Sequence, residues 1–500
     1  MTPPFRKVLV ANRGEIAVRI IRACRDLGMQ AVAVYSDADR DALHVRLADE
    51  AYPLGAAAPS ESYLSIAKVV AVARESGCDA VHPGYGFLSE NAAFASAVAS
   101  AGLTFVGPTE DVQRLLGDKT RARALAKESG VAIAEGTIEP LRDLDQARAV
   151  AARIGYPVML KAAAGGGGKG MRAVRDAADL DGAWRMATGE ATSSFGAPAL
   201  FLERLIEGAR HVEMQLIADA HGNVVWLGER DCSLQRRHQK LIEETPGPAV
   251  DPVLRARLGE AAVKIARAAN YRNAGTAEFL VAPNGDFFFL EVNTRLQVEH
   301  PVTELVTGLD LVALQFLVAS GAKLPFGQSD VATRGAAIEL RITAEDAHAG
   351  FVPTAGRVAL LRLPSGPGVR VDHALFDGVT IPSDYDPLLA KIIAWGSDRP
   401  AALAVARRAV AESIIAGLPT SLPFHAHVLG EPDFAAGTYD TSYVASHWPP
   451  AGDPDLDQSA LVAGALGAVL AARGRAPDPA RSPAPTASAG ARAGREDALR

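Results

Sequence analysis

Apolar residues along the chain fall into short runs broken by polar punctuation. Lys7 to Ala11 is one such run and reads as a buried strand. Asn12-Arg13-Gly14 is a turn, and Glu15 to Leu27 has helical spacing, with Ile16, Ile20, Cys24 and Leu27 on one face. Gly28 is a natural stop, because glycine takes left-handed backbone without steric cost. Gln30 to Tyr35 reads as a second strand, and Asp79–His82 and Thr104–Val106 repeat the theme after helical stretches. Strands alternating with helices predict a parallel sheet up to about residue 116. Without a G-x-G-x-x-G motif, that sheet carries no dinucleotide signature. Asp118 is placed to cap a helix running to about Ser129.

A smaller unit is expected from about 131 to 204, and from 205 onward the pattern turns to antiparallel hairpins. His211 to Asp219 and Val224 to Arg230 flank the turn Ala220-His221-Gly222-Asn223. His211, Glu213 and Gln215 fall on one face of that hairpin, with Val212, Met214 and Leu216 on the other. Thr276 to Ala282 and Asp286 to Asn293 flank Asn284-Gly285, the strongest two-residue hairpin signal. If that turn sets the register, opposing residue numbers sum to 569 and Glu278 faces Glu291. Such pairs place Cβ atoms about 4.5–5.5 Å apart. Two like charges so close, among Phe279, Phe287, Phe289 and Leu290, call for a divalent cation; Asn293, two residues on, can add an amide oxygen.

Between two strand-like segments, Pro157 to Leu160 and Met171 to Val174, lies Gly165 to Gly168, with Lys161 before it and Lys169 after it. Glycines let backbone N–H groups approach an anion closely, and the lysines add positive charge. The spacing is not that of a Walker A loop, so the run reads as a flap over a nucleotide phosphate. In Thr294 to His300, Arg295, Gln297 and Glu299 alternate with Leu296 and Val298, and an extended backbone would point the three polar heads one way. An arginine fork suits a small planar oxyanion, and a glutamate beside it can take a proton. Arg230 to Lys240 has few large apolar groups and reads as no core element; Cys232 within it is a candidate nucleophile.

Composition narrows the class. The 500 residues are 48% hydrophobic and 22% charged with a net charge of −7, which gives no electrostatic case for nucleic acid or an anionic membrane. Three widely spaced cysteines argue for a reducing compartment, and Met1 to Lys7 lacks the apolar core of a signal peptide. The longest apolar run, Ala460 to Ala472, is too short to span a bilayer and reads as one helix. Residues 473 to 500, rich in Pro, Ala, Ser and Arg, read as a disordered tail. A cytoplasmic enzyme fits this profile.

Taken together, these segments resemble the ATP-grasp superfamily and, within it, the biotin carboxylase family. The resemblance rests on Val10-Ala11-Asn12-Arg13-Gly14-Glu15-Ile16-Ala17, on His82 to Asn91, on the glycine flap, on Arg210 to Glu213, on Glu229 to Lys240 and on Glu291 to Glu304, in the family's order over roughly residues 5 to 445. It implies an α/β and α+β architecture. A Rossmann-like parallel-sheet domain (1–116) would be followed by linker helices and a flap-bearing lid (117–204), an antiparallel domain (205–445) and a terminal segment (446–500). It implies ATP, magnesium or manganese, and bicarbonate, with biotin supplied on a separate carrier protein. Lys119, Lys161, His211 and the flap glycines Gly166, Gly167 and Gly168 would hold ATP phosphates. Glu203 to Ile206 would line adenine, and Gln235 and His238 would lie near ribose and phosphates. Glu278, Glu291 and Asn293 would bind the metal. Glu299 would be the base that activates bicarbonate, held with Lys240, Arg295, Gln297 and Val298. Arg341 would stabilise the biotin enolate, and Tyr85 would line the biotin pocket. No methionine is followed by lysine, so the usual biotin-attachment motif is absent. The expected partners are therefore a biotin carboxyl carrier protein, a carboxyltransferase subunit, and a second copy of the chain in a homodimer. Tyr385 to Lys391 is similar to the acyl-CoA carboxylase types. The alternatives are a pyruvate or urea carboxylase subunit, another ATP-grasp ligase, and a non-catalytic subunit.

Overall fold

A computed structural model describes residues 3–162, 171–195 and 199–449. The Gly165–Gly168 flap, the Ala460–Ala472 helix and the 473–500 tail lie outside the described residues. The first sheet is parallel, in the order β3-β2-β1-β4-β5. Its strands are β1 (Lys7–Val10), β2 (Gln30–Ser36), β3 (Glu50–Gly55), β4 (Ala80–His82) and β5 (Thr104–Phe105). The strand β3 escaped the sequence pattern because Glu50-Ala51-Tyr52-Pro53 neither alternates nor forms an apolar run. Helix α1 (Gly14–Asp26) follows β1 and ends where Gly28 takes φ +73°. Ile16, Ile20 and Cys24 of its apolar stripe are buried as expected, with Leu27 half-buried just past its end, but Glu15 and Arg19 are buried too. The helix is therefore covered on a second side, where Arg19 pairs with Glu304 and Asp310.

Asp118 caps the helix Lys119–Glu128 by accepting from the N–H groups of Thr120 and Arg121. A three-stranded antiparallel sheet follows, in the order β7-β6-β8, from β6 (Val158–Ala162), β7 (Met171–Val174) and β8 (Leu200–Arg204). The strands on either side of the glycine run thus pair directly.

The third sheet is antiparallel throughout and has eight strands, in the order β13-β12-β9-β10-β11-β14-β16-β15. They are β9 (Arg210–Ala218), β10 (Val224–Arg236), β11 (Gln239–Thr245), β12 (Asn273–Val281), β13 (Phe287–Asn293), β14 (Ala336–Thr343), β15 (Val369–His373) and β16 (Leu388–Gly396). Val212, Met214 and Leu216 pack one face of β9 into an apolar core with Leu258, Ile265 and Phe279. His211, Glu213 and Gln215 point the other way and are buried too. A sheet with both faces covered leaves this polar face no bulk water, so its charges must satisfy one another.

Two expectations are corrected here. Arg230 to Arg236, expected to be no core element, is the inner half of β10; Arg230, Cys232 and Ser233 are fully buried. The Arg230 guanidinium tolerates this because Glu213, Gln215, Thr276 and Thr303 accept its hydrogens. The β12–β13 turn is also not a two-residue hairpin. Ala282 and Asp286 close a three-residue loop in which Gly285 donates to the Ala282 carbonyl and takes φ +82°. Near the turn the paired residues therefore sum to 568 (Val281 with Phe287, Phe279 with Phe289). A bulge at Leu290 restores the offset, and Glu278 faces Glu291 after all.

Candidate active site

The polar face of the eight-stranded sheet is organised around the ammonium of Lys240, near the start of β11. Its Nζ donates to Glu213 Oε2 at 2.6 Å, Glu299 Oε1 at 2.8 Å and Glu278 Oε1 at 2.9 Å. The three acceptors come from β9, from the segment after β13 and from β12, so only the folded sheet assembles them. Burial alone would lower the Lys240 pKa, but the surrounding anions hold it well above its ordinary value. Burial likewise raises the Glu299 and Glu278 carboxyls, yet Lys240 and further cations (Arg341 and Arg230 for Glu299, His211 for Glu278) outweigh it and hold both well below the usual range. Both are anions at neutral pH. His211 Nε2 lies 2.9 Å from Glu278 Oε2, and that charge raises the imidazole pKa against the opposing effect of burial.

The segment after β13 is not an extended strand, but it still converges on this cluster. Arg295 donates to Gln297 Oε1 at 2.8 Å and to Asn293 Oδ1 at 3.2 Å, and it pairs with Glu90 at 2.9 Å. Gln297 and Asn293 in turn donate to Glu278 Oε1 at 3.3 and 2.8 Å. Glu299 is fully buried, and its second oxygen accepts from Arg341 Nη2 at 2.9 Å. The carbonyl of Val298 accepts from the buried Lys391 at 2.7 Å.

Lys119, first residue of its helix, comes within 3.5 Å of Glu291. Lys161 on β6 pairs with Glu203 on β8, which also binds Arg123 at 2.8 Å. His238 sits at the β10–β11 turn, where Arg237 and His238 both take positive φ. Burial, then the charges of Lys161, His211 and Lys119, lower its pKa, so four basic side chains converge. Gln235 faces Lys240 across the same turn. Tyr85 donates to Glu15, whose carboxylate lies 3.4 Å from Lys391. Ile206 is half-buried two residues past β8. Gly166 to Gly168 lie outside the described residues. Cys232 is buried and its thiol is pushed well above its ordinary pKa, which removes it as a nucleophile.

Glu278 and Glu291 with the Asn293 amide form an oxygen set of the kind that suits a hard divalent cation sharing phosphate oxygens. The tightest donor groups among the described residues are others: His211 with Glu213 and Glu278, and Glu213 with Cys232 and Glu299. The Lys240 ammonium already contacts Glu213, Glu278 and Glu299, so a divalent ion fits better on the Glu291 side. Sequence reasoning missed Glu213, Arg230, Glu15 and Lys391 as parts of this network. The alternation of His211, Glu213 and Gln215 was a signal for the first; the others have no periodic signature.

A parallel sheet, a small sheet whose strands flank a glycine run, and a large antiparallel sheet carrying facing carboxylates define an ATP-grasp ligase. Three family descriptions match in order: the biotin carboxylase N-terminal domain at residues 4–113, the ATP-binding domain of the carbamoyl-phosphate synthase L chain at 118–326, and the biotin carboxylase C-terminal domain at 339–446. A pyruvate carboxylase subunit of Methanothermobacter thermautotrophicus is 49% identical over 440 residues, 88% of this chain and 89% of that one. Biotin carboxylase 1 of Bacillus subtilis is 48% identical over 444 residues, 89% and 99% of the two chains. The biotin carboxylase domain dimer of Hydrogenobacter thermophilus 2-oxoglutarate carboxylase, crystallised with MgADP, ADP and bicarbonate, aligns with a TM-score of 0.87 at 44% identity, covering 89% of this chain and 98% of that one. This chain belongs to the biotin carboxylase family. Among the described residues no single helix is long and apolar enough to cross a membrane.

Proposed function

We propose that the protein carboxylates biotin held on a separate carrier protein, using ATP and bicarbonate, as the first half-reaction of an acyl-CoA carboxylase. The observation that carries this reading is Glu299: a fully buried carboxylate held by Lys240 and Arg341, whose ammonium partner also touches the carboxylate Glu278. A base that shares a cation with the nucleotide-metal carboxylate can deprotonate a small acid beside a γ-phosphate. Bicarbonate would lie against Arg295, Gln297, Lys240 and the Val298 backbone. Glu299 would take its proton, and the bicarbonate oxygen would attack the γ-phosphorus with ADP as leaving group. The resulting carboxyphosphate would break to CO₂ and phosphate. Phosphate would remove the ureido proton of biotin, whose nitrogen then attacks CO₂, while Arg341 stabilises the enolate and Tyr85 lines the ring pocket. Lys119, Lys161 and His211 would supply positive charge for the phosphates, the His238 imidazole, whose pKa is lowered, would donate a hydrogen bond as a neutral ring, and Glu203 with Ile206 would border adenine. A divalent cation held by Glu278, Glu291 and Asn293 would neutralise charge on the phosphoryl group during transfer.

The likeness to biotin carboxylase 1 of Bacillus subtilis, matched over 99% of that chain, supports a biotinyl carrier protein as partner, with a carboxyltransferase subunit taking the product. The dimeric crystal form of the Hydrogenobacter domain supports a homodimer. Three free, buried cysteines support a cytoplasmic location. The same half-reaction in a pyruvate carboxylase is the second reading, favoured by the 49% identity to a subunit of that enzyme. ADP release with magnesium, measured with and without bicarbonate and free biotin, tests the proposal. Release requiring bicarbonate and accelerated by biotin is expected; release indifferent to bicarbonate would refute it.

A further inference from the structure

Arg341 is held by two carboxylates. Its Nη2 donates to Glu299 at 2.9 Å, and its Nε donates to Glu243 Oε1. Nη1 makes no hydrogen bond among the described residues and is not sealed from solvent. Glu243 lies on β11 with no solvent exposure, and its Oε2 has no partner among the described residues. Directly opposite on β14 is Glu339, two residues before Arg341 and on the same strand face. Glu339 is also fully buried, and neither of its oxygens has a partner among the described residues.

Charge decides how this group is arranged. If both were ionised, Glu243 and Glu339 would be like charges about 5 Å apart at Cβ, with Glu299 as a third anion nearby. The cations facing them are Arg341, Lys240 and Lys391. Lys240 is engaged by Glu213, Glu278 and Glu299, and Lys391 by the Val298 carbonyl, Glu15 and Asp372. Only Arg341 remains, and it contacts Glu243 but not Glu339. A buried carboxyl with no cation and no donor keeps its proton. Burial accordingly pushes Glu339 well above the carboxylate range. Burial raises the Glu243 carboxyl too, to about 7, against the pull of Arg341, so of the facing pair Glu243 is the one that ionises first, and its Oε1 accepts the Arg341 Nε–H.

We propose that Glu243 is a positioning residue for carboxyl transfer: it fixes the plane of the Arg341 guanidinium, so that Nη2 stays on Glu299 while Nη1 is presented to the oxygen that becomes negative on the biotin ring. The inference rests on the proposed role of Arg341. A guanidinium with an anchored Nε cannot rotate about its terminal bond without breaking a charged hydrogen bond. Glu243 touches no substrate and acts only through Arg341.

The test uses the full chain with Glu243→Gln, Arg341→Gln and the double variant, each confirmed folded by thermal denaturation. The readout is the ratio of biotin-dependent to biotin-independent ADP release, both with bicarbonate. Glu243→Gln is expected to lower biotin-dependent kcat roughly 10- to 100-fold, with the biotin-independent rate falling clearly less and KM for ATP changed by less than about 3-fold, because Lys240 still holds Glu299 while nothing else orients Nη1. The double variant is expected to be no worse than Arg341→Gln alone. If Glu243→Gln does not fold, Glu243→Asp, one methylene shorter, is expected to lower the same ratio. An unchanged ratio in the Glu243 variants, or an equal fall in both rates, overturns the proposal. If Arg341→Gln shows no selective loss, the role of Arg341 itself is wrong and the proposal falls with it; selective loss in Arg341→Gln but not in Glu243→Gln overturns the clamp alone.

Discussion

Replacing Lys240 by Met removes the cation that three buried carboxylates share. Losing one partner of a buried ion pair costs about 3–5 kcal/mol, because the other charge is left without compensation. Here each carboxylate retains a second partner: Arg230 for Glu213, Arg341 for Glu299, and His211 for Glu278. The expected cost therefore sits at the lower end, about 3 kcal/mol, a factor of more than 100 in the unfolding equilibrium. The pH dependence is more diagnostic. In the wild type Glu278 and Glu299 are held well below the ordinary carboxylate value, so the stability they contribute is present above about pH 4.5 and is lost as pH falls through their folded-state values. Without Lys240 those folded-state values rise. The deficit of the variant should then be largest near pH 7.5 and shrink below about pH 5, where carboxylates protonate in either state. Urea unfolding at several pH values measures both effects. A deficit under about 1 kcal/mol at pH 7.5, or one that does not vary with pH, would refute the assignment of Lys240 as the shared counter-ion.

Other outcomes follow from the same geometry. Glu291→Gln should raise the magnesium concentration needed for half-maximal ADP release by roughly 10-fold, with activity restored at high magnesium; an unchanged requirement would place the metal elsewhere. His82 is buried, and burial pushes its imidazole down to about 3 against the bond to Gln315, so its unfolded form binds more protons below pH 6.5. Compared with His82→Gln, the wild type should lose about 2 kcal/mol more stability between pH 7 and pH 5; equal slopes would show a solvated histidine. Cys24, Cys78 and Cys232 are free and buried, so an aromatic disulfide reagent should find no fast-reacting thiol in the native protein and three in urea. A thiol that reacts at once in the native state would contradict that packing.

The chemistry was more legible in the sequence than the geometry that delivers it. The alternation in His211 to Leu216 identified both faces of β9, and the charge argument at Glu278 and Glu291 found a facing pair. That pairing came from the wrong turn: a three-residue loop and a bulge at Leu290 offset one another, and neither leaves a mark in hydrophobic periodicity. Arg230 to Arg236 looked like surface because polar composition normally means solvent. Its burial depends on Glu213, Gln215, Thr276 and Thr303, which are far away in sequence. Glu15 and Lys391 share that origin, since they meet only after α1 has packed beside the eight-stranded sheet. Local pattern reports which residues can face a core; it cannot report which distant partner makes a buried charge tolerable.

The most direct test follows labelled carbon from bicarbonate into biotin, with magnesium and ATP, in the wild type and in Glu299→Gln. ATP-dependent carboxybiotin formation is expected in the wild type, with a loss on the order of 10²- to 10⁴-fold in the variant, the range for removing a positioned general base. Label transfer that persists unchanged without the Glu299 carboxylate, or that needs no ATP, would contradict the account.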